Sequence, residues 1–205
     1  FKAMQAETDV PVTVKTRIGI DDRDSEAFLH QFVDVLAGAG CRKFIVHARI
    51  AILEGLSPKE NRTIPPLNYS RVYRLKRAYP ELQIVLNGGL TDSQQIDDVL
   101  QHVDGVMIGR QAYHQPYFLA ELAHHLDPAR PLPDRCDIVH AMLPYVESVV
   151  AAGEPLNRVS RHMLVLFAGR PGARAWRRYL SEHAHQGGAG ANVLISALNA
   201  MPITA

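Results

Sequence analysis

Ile84-Val85-Leu86-Asn87-Gly88-Gly89 is the stretch on which the fold turns. Three apolar residues run into an amide and two glycines, which reads as a short strand buried on both faces and stopped by a polar turn. Phe44-Ile45-Val46-His47 upstream has the same form, as do Val10-Pro11-Val12-Thr13-Val14-Lys15 before it and Val106-Met107-Ile108-Gly109-Arg110 after it. Amphipathic stretches lie between. One carries Phe28, Leu29, Phe32, Val33 and Leu36 and is stopped by Gly38 and Gly40; another carries Val72 and Leu75 and ends at Pro80; a third carries Ile96, Val99 and Leu100. The order is βαβαβαβ. Nearly continuous apolar strands joined by helices imply a parallel sheet, either doubly wound or part of a (β/α)8 barrel. No G-x-G-x-x-G follows any of the strands, which favours the barrel.

The chain has 205 residues, 22 Lys plus Arg against 21 Asp plus Glu, and 47% hydrophobic content, the composition of an ordinary globular protein able to bury a core. No run reaches the roughly 18 apolar residues that a spanning helix requires. Cys41 and Cys136 are too few for a disulfide scaffold and lack zinc-site spacing, so a reducing cytoplasm is the expected compartment. The chain starts at Phe1 without a signal-peptide pattern, and the expectation is that it is part of a longer protein. Strand signals stop near Tyr117. After Pro128, Pro131 and Pro133, helical patterns follow near 137–152, 157–168, 172–186 and 192–200. Residues 1–116 are therefore expected to form half of a barrel, and 117–205 an all-α helical bundle.

Strand ends in parallel α/β folds gather on one side, where barrels carry their active sites. Lys15, His47, Asn87-Gly88-Gly89 and Gly109-Arg110 are expected to share that rim. Paired glycines let a backbone approach an anion closely, and an arginine fork suits phosphate, so a phosphorylated cofactor is implied. A strand-end lysine can neutralise charge on a bound ring or form a Schiff base, and a phosphate-binding aldolase using Lys15 stands as one alternative. The long excursion from Arg49 to Leu67 adds Arg49, Lys59 and Arg62 on the same side.

A second basic feature lies in the helical part. From Arg158 to Arg178 there are six arginines and no acidic residue. Arg170, Arg174, Arg177 and Arg178 recur at a helical period, with Trp176 and Leu180 opposite, as a face for a polyanion would. A nucleic-acid-binding module without catalysis is the other alternative. His124-His125 and His183-x-His185 lack a third ligand at metal-site spacing, so no metal is expected.

Pro11 through Gly19, Val46-His47-Ala48-Arg49, Gly55 through Arg62, Asn87-Gly88-Gly89, Gly105 through Arg110 and Pro171 through Leu180 occur in that order. Together they resemble a tRNA-dihydrouridine synthase of the A subfamily over essentially the whole chain. The resemblance implies an FMN-dependent barrel followed by a helical tRNA-binding domain, with NADPH as reductant and D-loop uridines 20 and 20a as targets. Lys15, His47, Asn87, Gly88, Gly89, Gly109 and Arg110 match positions that hold FMN. Lys59, Arg62, Arg174 and Arg177 match positions that grip tRNA. The family's proton donor is a cysteine in the first half of the barrel, which neither Cys41 nor Cys136 matches. The expected chain is thus the carboxyl-terminal portion of a monomeric enzyme, with no catalytic acid of its own and inactive alone.

Overall fold

A computed structural model describes residues 1–202; positions 203–205, the end of the expected helical domain, lie outside the described residues. Contacts divide the chain into two compact units, Phe1–Gly109 and a second that begins at Arg110.

The first unit opens with a short helix α1 (Lys2–Ala6) and then alternates β1 (Val14–Arg17), α2 (Glu26–Gly38), β2 (Lys43–His47), α3 (Tyr69–Ala78), β3 (Gln83–Asn87), α4 (Ser93–Leu100) and β4 (Gly105–Met107). Helix starts follow side-chain chemistry: Ser25, Asn68 and Asp92 each accept a backbone N–H from the first turn of α2, α3 and α4. The sheet order is β1-β2-β3-β4 and every neighbouring pair is parallel. Each right-handed crossover therefore steps the same way and leaves all of its helices on one face. A doubly wound sheet reverses its order; this one does not. Four successive βα units wound in one direction form half of a (β/α)8 barrel, as the sequence pattern implies.

Register and alternation sort the strand residues. Phe44, Val46, Ile84 and Leu86 are fully buried on the helix side, with Leu29, Val33, Val72, Leu75, Ile96 and Val99 from α2, α3 and α4 in the same core. Lys15, Ile45 and Val85 pair across the opposite face, and one step further along come Arg17, His47 and Asn87.

Two details differ from the sequence reading. The first strand is Val14–Arg17 rather than the run from Val10, because Pro11 has no N–H for the ladder and Val10 and Pro11 lie exposed. Lys15 thus stands inside β1, and Arg17 closes it. Residues 2–6 form α1, for which no periodicity was read.

The second unit contains α5 (Arg110–His114), α6 (Phe118–Leu126), α7 (Arg135–Ala151), α8 (Asn157–Ser160), α9 (Ala173–His183) and α10 (Asn192–Asn199). Val139 and Val146 of α7, Leu156, Met163, Phe167, Trp176, Leu180 and Leu194 form its core. Trp176 is fully buried, its indole N–H donates to Met163 O at 3.0 Å, and Phe167 packs against it with ring centroids 5.0 Å apart. The expected helix over 157–168 is only α8 followed by three-residue turns through Gly169. Helices α5 and α6 were not read from the sequence; α6 buries just Phe118 and Leu122, too little for a clear period.

Candidate functional site

The carboxyl ends of β1, β2 and β3 bring Lys15, Arg17, His47 and Asn87 to one face. Lys15 Nζ donates to Asn87 Oδ1 at 3.1 Å, reaching across β2, and Asn87 Nδ2 donates to Met107 O at 2.7 Å. One amide therefore ties β1 to β3 and β4. Partial burial, and then the charge of Arg17, pull the Lys15 ammonium below its ordinary value of 10.5.

Gly88 and Gly89 follow at φ 116° and 71°, a region that glycine alone enters without strain. Space demands glycine as well. A Cβ on Gly88 would stand 2.5 Å from His47 Cδ2, and one on Gly89 2.4 Å from Leu67 Cδ1. The buried His47 imidazole is thus seated against the Gly88 backbone. Tyr69 at the start of α3 donates its hydroxyl to Gly88 O at 2.6 Å and accepts from Gln95 Nε2 at 3.4 Å; burial raises its pKa and keeps it a donor. Gly109 follows β4 by two residues with open space where a Cβ would be, and the exposed Arg110 is the first residue of α5 in the second unit.

The long loop after β2 is fastened to the same rim. Arg17 Nη1 donates to Ile50 O at 2.6 Å and Asn61 O at 2.8 Å, and Arg49 donates to Thr63 O at 3.3 Å and to Pro65 O. Burial, then the neighbouring Arg49 and Arg62 charges, weaken the hold of Arg17 on its proton. Ser57 and Glu60 form a reciprocal capping box, Ser57 N to Glu60 Oε2 at 2.8 Å and Glu60 N to Ser57 Oγ at 3.3 Å, around a 3-10 turn at Glu60–Arg62. Lys59 and Arg62 are exposed on this turn.

In the second unit Arg174, Arg177 and Arg178 are exposed on α9 while Trp176 and Leu180 face inward. Arg177 Nε makes one long bond, 3.4 Å, to Ala173 O. Arg170 precedes α9, outside the helical face.

The remaining candidates are placed elsewhere. Cys41 is buried ahead of β2, at the end of that strand remote from His47. Cys136 lies in the first turn of α7, its thiol pKa raised by burial and then by Asp134. His124, His183 and His185 spend ring nitrogens on the carbonyls of Arg130, Tyr179 and Ser181. Sequence reading passed over Arg17, Asn61 and Tyr69. Only Asn61 had a local signal, the Ser57-Pro58-Lys59-Glu60 capping pattern immediately before it.

A parallel sheet wound in one direction, with a lysine bonded to an amide beside a buried histidine at the strand ends of one face, defines a barrel-type α/β protein with a candidate site at its strand ends. The family model described as dihydrouridine synthase (Dus) matches residues 1–201, and the chain belongs to that family. It is 55% identical over 193 residues to the tRNA-dihydrouridine(20/20a) synthase of Shewanella oneidensis, covering 94% of this chain and 58% of the relative. The protein of the same name from Vibrio cholerae is 52% identical over 202 residues, covering 98% and 62%, and that of Salmonella typhimurium 53% over 199 residues, covering 96% and 60%. The chain spans about three fifths of the length of these curated relatives.

Proposed function

We propose that this chain carries the flavin-facing and RNA-gripping portion of a cytoplasmic, monomeric tRNA-dihydrouridine synthase, in which uridines 20 and 20a of the D-loop are reduced across C5–C6 with FMN and NADPH. One observation carries the reading: Lys15, His47 and Asn87 share one sheet face toward the ends of three adjacent strands, with Lys15 hydrogen-bonded to Asn87.

That donor set fits a flavin. Lys15 offers a cation to an electron-rich heterocycle edge, Asn87 fixes the direction of that cation, and the backbone of Gly88 and Gly89, with Gly109 and Arg110, supplies groups suited to a phosphate. When bound, the flavin supplies the hydride equivalent that C6 of uracil needs. Lys15 stabilises negative charge near its Nζ, and His47 stands beside it with its Nε2 edge against Gly88. Lys59, Arg62, Arg174 and Arg177 bind tRNA phosphates, and their contacts help offset the few kcal/mol needed to extrude a base. Cys41 is at the wrong end of β2 to deliver a proton to C5, and Cys136 matches no donor position, so neither is assigned that role. The chain as the carboxyl-terminal portion alone is therefore expected to hold FMN loosely and to leave tRNA unreduced.

Titration of FMN into the chain, followed by flavin fluorescence, tests the reading. Saturable quenching is expected, about ten-fold weaker in Lys15→Met, the loss of one charge-assisted hydrogen bond. Quenching indifferent to the substitution would remove Lys15 from the site. Dihydrouridine formed by the chain alone with NADPH would overturn the inactivity assigned to it.

A further inference from the structure

The segment from Arg49 to Leu67 is longer than chain stiffness alone can shape, yet it is fastened at several points. Asn61 accepts from Ile52 N at 2.8 Å through Oδ1, and donates through Nδ2 to Ile52 O at 2.6 Å and Leu56 O at 3.3 Å. Its carbonyl accepts from Arg17, whose guanidinium also holds Ile50 O. Hydrogen bonds between neighbouring turns extend the fastening: Ala51 N to Gly19 O at 2.9 Å, Asp21 N to Ala51 O at 2.7 Å, and Leu53 N to Asp21 Oδ1 at 2.7 Å. Asp21 holds φ 47°, a left-handed conformation that a non-glycine residue keeps only where its surroundings enforce it. Arg17 and Asn61 spend these groups on backbone, while Lys59 and Arg62 between the anchors remain exposed.

Such an arrangement does something a flexible loop cannot. Arg49 and Arg62 each lie near enough to Arg17 for their charges to act on it. Like charges on a slack loop would drift apart; here the carbonyl clamps hold them together, which concentrates positive potential before any anion arrives.

We propose that Asn61, whose carbonyl Arg17 clamps, is a positioning residue that presets Lys59 and Arg62 for RNA phosphates, an inference that rests on the tRNA reading above. The test uses the whole chain and an unmodified tRNA transcript, with affinity measured across a salt series. The double variant Lys59→Ala/Arg62→Ala is the reference and should lower the slope of log K against log salt by about 1.5. Asn61→Ala removes no charge, yet should lower the slope by a similar amount and the affinity about ten-fold. It should also speed tryptic cleavage after Lys59 and Arg62 by loosening the backbone there, while the far-ultraviolet circular dichroism is unchanged. Asn61→Gln keeps the amide but displaces it by one methylene from Ile52, and should behave likewise; it carries the test if Asn61→Ala does not fold. Wild-type slope and affinity in both positioning variants, beside a clear loss in the reference, would overturn the proposal. A reference variant that binds like wild type would instead overturn the RNA reading of the loop, and the positioning role with it.

Discussion

The strand-end rim of the first unit and the arginine face of α9 are both basic, but they are built on opposite principles. On the rim, Lys15, Asn87, Arg17 and Asn61 are locked to one another or to carbonyls at 2.6 to 3.1 Å. On α9 the exposed guanidiniums of Arg174, Arg177 and Arg178 stand over a buried seam of Trp176 and Leu180, and Arg177 makes a single long bond to its own helix. A locked cation selects a ligand by shape, because moving it costs hydrogen bonds. A solvated cation selects by charge alone and is screened by salt. The rim therefore suits a small rigid ligand, and the helix face a long flexible polyanion.

The sharpest way to break this comparison is to cut α9 between its two faces. Trp176→Ala is expected to cost about 3–5 kcal/mol, as a fully buried aromatic with a satisfied indole N–H should, and Arg177→Ala beside it to stay within about 0.5 kcal/mol. Urea denaturation followed by circular dichroism of the helical signal checks both. Equal losses would mean that Arg177 is part of the packing and not a free surface charge.

Charge-conserving substitutions sharpen the contrast. Arg174→Lys/Arg177→Lys should keep tRNA affinity within about two-fold and preserve the salt slope, whereas Arg174→Ala/Arg177→Ala should lower the slope by about 1.5. On the rim the same courtesy fails. Lys15→Arg keeps the charge but puts a broader, planar guanidinium where a compact ammonium meets Asn87 Oδ1, and should weaken FMN about ten-fold, read by fluorescence. A rim that tolerated Lys15→Arg would be a second solvated field, and the distinction between the regions would disappear.

These two regions were not equally visible in the sequence. The α9 face was legible except for Arg170, which stands before the helix: a period of 3.6 places Arg174, Arg177 and Trp176 without further information. The sheet was legible for a similar reason: Phe44-Ile45-Val46 and Ile84-Val85-Leu86 are apolar on both sides, and their alternation with helices leaves few topologies. At the rim only the residue types could be seen. That Lys15 lies across β2 onto Asn87 follows from register, and that Arg17 grips Asn61 follows from the path of a loop, neither of which is periodic. Pro11 shows the limit in the other direction: the apolar pattern from Val10 to Val14 reads as strand, but a missing donor moves its start to Val14.

The smallest expected effects concern alkaline pH, where rim and framework should separate with opposite signs. Tyr79 ends α3, away from the strand-end residues; its hydroxyl donates to Asp34 Oδ1 at 2.7 Å, and burial, then that hydrogen bond, push its pKa up to about 12. The unfolded chain, with tyrosine near 10, loses this proton first. The folded state then binds more protons between about 10 and 12, and stability falls as pH rises through that window. Lys15 is shifted the other way: the folded chain loses the proton first, below 10.5, so in that interval rising pH slightly favours the folded state while it discharges the rim. FMN affinity should accordingly decline with pH before stability does. Tyr79→Phe should flatten the alkaline fall in urea midpoint and leave the pH profile of FMN binding in place. If both profiles move together in that variant, the rim is not an independently set site but a passenger of the framework beneath it.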